Sequence, residues 1–197
     1  MLYRKCLPVM VLTLTVMLMT GCGQIRETLP GRSAMEQLLI STAADRAIDD
    51  MEGASLHGKA VYLDFTNLET YDRPYVTQRI RNHVLNSGAR VVDAREDAQV
   101  VLESASGGLS FNKRDYLLGL PAIVIPTSVG EIGTPELPLF KALFYRGKAK
   151  LLFTAVDPAT NEQLFHVPMC YGNSHQTHWW FLFMGPFTAT DLPEQLD

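Results

Sequence analysis

From Ser33 onward the apolar and polar positions fall into short periodic blocks. Ser33-Ala34-Met35-Glu36 has the form of a capping box, a hydroxyl to receive a first-turn amide and a carboxylate three residues on. Apolar residues then recur at Met35, Leu38, Leu39, Ala43, Ala47 and Met51, and Gly53 stands where such a helix would end. Lys59 to Phe65 (KAVYLDF) reads as an apolar strand. Tyr71-Asp72-Arg73-Pro74 opens a second helix with proline in its first turn. Val76, Ile80 and Val84, four apart, give that helix one apolar face, and Gly88 closes it. Ala89 to Val92 and Ala98 to Leu102 predict two more strands, separated by a polar turn over Asp93 to Asp97.

The pattern changes at Ser104 to Gly108 (SASGG). From Tyr116 to Phe140 the chain is apolar but interrupted by four prolines and three glycines, which predicts an irregular insert over 104–142. Lys148 to Val156 resumes as a strand, Asp157 to Asn161 turns, and Gln163 to Met169 is the expected hairpin partner. The tail from His178 to Phe187 is aromatic and reads as ended by Gly185-Pro186. The predicted fold is therefore α/β, of α+β character: a mixed sheet of about five strands with helices packed on one face, a Pro/Gly-rich apolar insert and a C-terminal β-hairpin.

Upstream of this domain, Arg4 and Lys5 precede an apolar run from Leu7 to Met19 and small residues at Thr20 and Gly21. This is the layout of a secretory signal over 1–21, too short and wrongly flanked for a spanning helix; an uncleaved N-terminal anchor is the alternative. Met19-Thr20-Gly21-Cys22 also resembles the lipobox of bacterial lipoprotein precursors. That resemblance implies lipid on the Cys22 thiol, cleavage before it and acylation of the new amino group. Gly23 rather than Asp after the cysteine implies the outer membrane, periplasmic face, as in diderm lipoproteins. Residues 22–32 would be the lipidated tether and 33–197 a single periplasmic domain.

Charge and cysteine content narrow the classes. Of 17 basic residues the signal takes Arg4 and Lys5, leaving 15 against 21 acidic ones, with no basic surplus for a nucleic-acid partner. The apolar fraction of 47% is too high for a disordered chain. Of three cysteines, Cys6 leaves with the signal and Cys22 would carry lipid, so Cys170 has no intramolecular disulfide partner and reads as a small buried hydrophobe.

No catalytic signature stands out: Gly172-Asn173-Ser174-His175 fails the G-x-S-x-G pattern, and Gly107-Gly108 lacks the Lys-Ser/Thr of a phosphate loop. His166, His175 and His178, with Cys170 nearby, could hold a metal tetrahedrally if the chain folded them together; otherwise they are surface or capping histidines. Asp64, Thr66 and Asn67 stand at the end of the first strand, where open α/β sheets bind ligands, or serve as turn formers. Trp179, Trp180, Phe181, Phe183 and Phe187 are either core or, if exposed, a contact surface for membrane or subunits. No cofactor is implied.

Most of the mature chain resembles a family of uncharacterised bacterial lipoproteins, a domain of unknown function. The resemblance rests on Ser41-Thr42-Ala43-Ala44-Asp45-Arg46-Ala47, Gly147-Lys148-Ala149-Lys150, Gly172-x-Ser174, Trp179 and Gly185-Pro186-Phe187, and implies no activity. More loosely, Lys59 to Leu102 is similar to the periplasmic α/β domain of curli-secretion and flagellar-associated outer-membrane lipoproteins. The carrying residues are Asp64, Leu85-x-Ser87-Gly88, Arg90-Val91-Val92-Asp93 and Ala98-x-Val100. In the curli channel that fold forms rings and inserts hairpins. The punctuated insert here is not read as an alternating hairpin with the roughly 9 to 11 residues per strand that a crossing needs, so no pore is expected. The expected function is a non-enzymatic outer-membrane lipoprotein facing the periplasm. It would act as an envelope assembly or interaction module, a homo-oligomer or part of a complex. The alternative is a periplasmic ligand- or metal-binding module using the histidines, a hydrolase among the options.

Overall fold

A computed structural model describes residues 31–51, 56–128, 130–182 and 184–193. The signal, Cys22, all but the last two residues of its tether, Gly53 and Phe183 lie outside the described residues. Arg32–Asp197 form one compact unit, and the buried core lies wholly within it. No helix among the described residues is long and apolar enough to cross a membrane.

Helix α1 (Ala34–Asp49) begins as its capping signal predicts: the Ser33 hydroxyl accepts from the Glu36 amide at 3.2 Å. Glu36 does not complete the box. Its carboxylate pairs instead with Arg32, whose guanidinium also reaches Asp72 at 2.8 Å. Strand β1 (Ala60–Asp64) leads through α2 (Arg73–Asn86), with Val76, Ile80 and Val84 fully buried, to β2 (Arg90–Val92). One 3₁₀ turn over Arg95–Asp97 precedes β3 (Val100–Leu120), and β1 lies parallel to both β2 and β3.

The next segment corrects the sequence expectation. Residues 104–142 are not an irregular insert but most of a long antiparallel ribbon. Strand β3 pairs with β6 (Leu137–Val156) from Val101↔Val156 out to Leu120↔Leu137, and β4 (Val124–Thr127) with β5 (Gly130–Gly133) forms a small hairpin at its tip. The segment is thus an alternating hairpin, contrary to the reading drawn from its prolines. Each proline sits where its missing N–H costs little. Pro121 and Pro135 fall in the breaks between ribbon and tip. Pro138 lies opposite Gly119 at a bulge, beyond the last pairing of β6 with its other neighbour. Gly119 has φ +150° there, and a side chain would strike the Leu137 carbonyl.

Strand β7 (Gln163–Phe165) pairs only with the end of β6, so the expected hairpin partner is three residues long. The main partner of β6 is β8 (Cys170–Phe181), which pairs in turn with β9 (Met184–Thr190). The aromatic tail is therefore two strands, with Gly185-Pro186 inside β9 rather than at its end. The result is a seven-stranded mixed sheet, order β2-β1-β3-β6-β8-β9 with β7 beside β6, in place of five strands. Strand residues well outnumber helical ones.

Both helices join β1, β3, β6 and β8 in one buried cluster centred on Phe153, Ile48, Leu56, Leu68, Ile80, Leu102 and Leu151. Helix α1 approaches β6 and β8 so closely that no Cβ fits beneath it at Gly147 or Gly172. A side chain at Gly147 would collide with the Leu39 carbonyl, and one at Gly172 with the Ala43 carbonyl. Ala43, Ala44 and Ala47 supply the matching small surface on the helix, and Ser174 donates its hydroxyl to the Leu39 carbonyl at 2.5 Å. Arg46 then clamps the far edge, reaching the Asn173 carbonyl and both the carboxylate and the carbonyl of Asp191. Since backbone stands on one side of each contact, neither partner can rotate away. Gly147→Ala and Gly172→Ala are each expected to lower the unfolding free energy of residues 32–197 by about 3 kcal/mol, the upper end of overpacking costs, as read by urea denaturation.

Candidate interaction surface on the outer sheet

Beyond the reach of α1, β3, β6, β8 and β9 continue as a four-stranded arm whose two faces differ. Registration aligns the side chains of one face into rows: Arg114–Phe144–Thr177–Ala189, then Tyr116–Ala142–Trp179–Phe187, then Leu118–Phe140–Phe181–Met184 nearest the tip. Ring contacts tie these rows together, Trp179 stacked on Phe187 at 4.4 Å within one row and Tyr116 edge-on to Phe144 at 5.6 Å between two. Leu118 is 65% exposed, Met184 59%, Tyr116 54% and Phe181 49%. A groove of about 530 Å³ runs along this face between Arg114, Tyr116, Leu118, Phe140, Phe144 and Arg146. A second of about 410 Å³ adjoins it, bordered by Arg146, Lys148, Asn173 and His175. Toward the base the same face carries Arg146 and His175, then Lys148 and Asn173, then Lys150 and Tyr171. Among the described residues, Arg114, Arg146 and Lys148 have no carboxylate partner, while Lys150 lies over the Tyr171 ring.

The opposite face of the arm mixes apolar side chains, among them Phe111, Leu117, Leu143, Tyr145 and Trp180, with polar groups that mostly pair with one another. Lys141 pairs with Glu136 at 2.7 Å, and that hydrogen bond raises its pKa against the opposing effect of burial. Lys141 also covers the Trp180 ring, and Lys113 the Tyr145 ring. His178 has Thr188 Oγ1 at 2.9 Å from Nδ1 and Gln176 Nε2 at 3.2 Å from Nε2. The two faces thus differ in how their polar groups are used: one pairs most of them with each other, the other sets cations without a carboxylate partner among the described residues beside exposed apolar rings.

This placement corrects the histidine grouping. His175 and His178, three apart on one strand, project to opposite faces, as the two-residue period of a strand requires. His175 stands beside Asp191, Nδ1 3.0 Å from Oδ2, and His166 is exposed after β7. Cys170 lies in the core, where burial and then the charge of Asp50 push its thiol up to about 11, so it is no thiolate ligand at neutral pH. Among the described residues no three His, Cys, Asp or Glu side chains could hold a metal ion together. At the end of β1, Asp64 accepts the Thr66 amide at 2.8 Å, and hydrogen bonding from Thr66 keeps its carboxyl below the ordinary value; it is spent on a turn. The aromatic group divides too: Trp179, Phe181 and Phe187 share the groove-bearing face, whereas Trp180 takes the opposite one. Sequence reading missed Arg114, Arg146, Lys148 and Tyr116, whose signal is the even-numbered alternation through 110–118 and 140–150 once both are known to be strands.

Two measurements check these assignments. In residues 32–197, Cys170 should resist iodoacetamide at pH 8 while folded and react fully once unfolded in urea. Asp191 tests the clamp. Burial pushes its carboxyl up, but the His175 amide and the Arg46 guanidinium together outweigh burial and leave it lowered. Its contribution to stability is therefore full above the ordinary carboxylate value of 3.8 and is lost as pH falls through its lower native value. Asp191→Asn should lower stability at pH 7 and flatten the fall in stability on acidification, followed by denaturant titrations between pH 7 and 2.5.

No curated protein matches the chain. Among solved structures, it is similar to the uncharacterized lipoprotein B from Nitrosomonas europaea, determined by solution NMR, at 19% identity over 58% of this chain and 59% of that one. The TM-score is 0.25, so this likeness carries no argument. The residues on which the sequence resemblance rests include those that seat α1 on β6 and β8, namely Ala43, Ala44, Ala47, Gly147, Gly172 and Ser174, and the stacked Trp179–Phe187 pair of the arm. The model of the family of unknown function DUF6655 matches residues 16–196, and the chain belongs to that family.

Proposed function

We propose that the protein is a non-enzymatic lipoprotein, held by lipid on Cys22 at the periplasmic face of the outer membrane, and that it works as an envelope interaction module through the apolar face of its outer sheet. The observation that carries this reading is the set of large, exposed apolar side chains, Tyr116, Leu118, Phe140, Trp179, Phe181, Met184 and Phe187, in two rows across four strands, on a face that no other described element packs against. An exposed patch of this extent is larger than a soluble monomer ordinarily tolerates and marks a contact surface. The anchor is supported by Met19-Thr20-Gly21-Cys22 and the signal layout before it. A non-enzymatic role is supported by the use to which the candidate polar groups are put: Asp64 closes a turn, His178 bridges Gln176 and Thr188, and Asp191 holds Arg46.

Two experiments test the reading. The full chain should incorporate labelled palmitate and fractionate with outer membranes, and Cys22→Ala should abolish the labelling. Residues 32–197, exported to the periplasm without lipid, should still be retained on the envelope. The double variant Leu118→Asp, Phe181→Asp should move into the soluble periplasmic fraction with its melting temperature within about 4 °C of the parent, since surface changes away from the core cost little. Parent and variant equally soluble would remove the interaction role.

A further inference from the structure

We infer that the partner of this face is an anionic lipid surface, a conclusion that rests on the interaction reading above and names its partner class. The first argument is the order of chemistry along the strands. From tip to base the face presents Leu118, Phe140, Phe181 and Met184, then the Tyr116 and Trp179 rings with Phe187, then Arg114 beside Phe144, and last Arg146 and Lys148. Aliphatic and phenyl groups, then amphipathic rings, then cations is the order in depth of hydrocarbon, interface and headgroup. A protein partner would need no such gradient. The second argument is charge. Among the described residues the three cations have no carboxylate partner, and the carboxylate at the edge of their rows, Asp191 beside His175, is held by Arg46 and His175. The three cations therefore complement phosphate-bearing headgroups, and their alkyl stems can lie along the apolar rows while the charged ends stay in water.

The third argument is where the chain leaves the domain. The Leu39 carbonyl lies over Gly147 and the Ala43 carbonyl over Gly172, which is paired with Ala149. Helix α1 thus runs from the arm toward the core, and its first turn points to the arm end. Arg32, fixed to Glu36 and Asp72, brings the preceding chain out at that same end. Arg32 stands ten positions after Cys22, a reach of at most about 35 Å. A lipid on Cys22 and the apolar face can therefore engage one bilayer together, the tether raising the local concentration of the face at the surface.

The test uses residues 32–197, which contain the whole core and no lipid of their own. The probe is large unilamellar vesicles of phosphatidylcholine, alone or with about one-third phosphatidylglycerol, the anionic fraction being set so that surface attraction is measurable. Binding is read by co-sedimentation and by the shift in tryptophan emission. The parent should bind the anionic vesicles at least tenfold more tightly than the neutral ones, and lose that advantage in high salt. Replacing Arg114, Arg146 and Lys148 together by Gln should weaken binding about a hundredfold, at roughly fivefold per charge, without changing the melting temperature. Leu118→Asp with Phe181→Asp should abolish it. Envelope retention in cells without any vesicle binding would overturn the lipid assignment and leave the interaction reading standing with a protein partner. Loss of both would overturn both. A dimer in sedimentation equilibrium that Leu118→Asp dissolves would mean that a second copy covers the face, which also overturns the inference. Anionic binding unchanged in the triple Gln variant would overturn the role of the cations.

Discussion

Helix α1 can lie on β6 and β8 only because Gly147 and Gly172 leave backbone bare beneath the carbonyls of Leu39 and Ala43. The rest of the architecture follows from that contact. A helix seated so low brings Ala43, Ala44 and Ala47 against the sheet and lets Ser174 satisfy a helix carbonyl directly. It also puts Arg46 within reach of Asp191, so the end of the last strand is tied to the first helix. The four strands are locked in register at their bases, and the register continues outward into the arm, where no helix supports it.

The contact also explains what the family resemblance transfers. Ser41 to Ala47, Gly147 to Lys150 and Gly172-x-Ser174 are distant in sequence and meet at one helix–sheet interface. They specify how the module is built. The surface with unspent chemistry lies farther out, on side chains of which these motifs include only Lys148, Lys150, Trp179 and Phe187. A resemblance carried by packing residues marks a shared construction and is silent about partners.

The arm sets two ways of handling exposed side chains on the two faces of one sheet. On one face Lys141, Glu136, His178, Thr188 and Gln176 pair among themselves, so little is gained by covering them. On the other, rings and aliphatic chains stand in water beside cations without carboxylates, so covering it removes apolar area from water and pairs charges at once. The two-residue period of the strand makes this division possible: neighbours in sequence such as Trp179 and Trp180 go to different environments.

The two helices and the inner strands were legible because their signals are local. A hydroxyl at Ser33, apolar residues four apart at Val76, Ile80 and Val84, and proline in the first turn of α2 each act within a few residues. The outer sheet was not. Prolines at 121, 126, 135 and 138 read as breaks, yet each falls at a joint, a bulge or an edge that exists only once β3 and β6 are paired. His175 and His178 looked like neighbours until the strand sent them to opposite faces. The sequence by itself determined the address signal, the helices and the presence of an apolar, aromatic C-terminal half. Only the tertiary structure decided which of those apolar residues are core and which are surface, because that depends on where α1 comes to rest, and α1 rests where two glycines from distant strands leave room for its backbone.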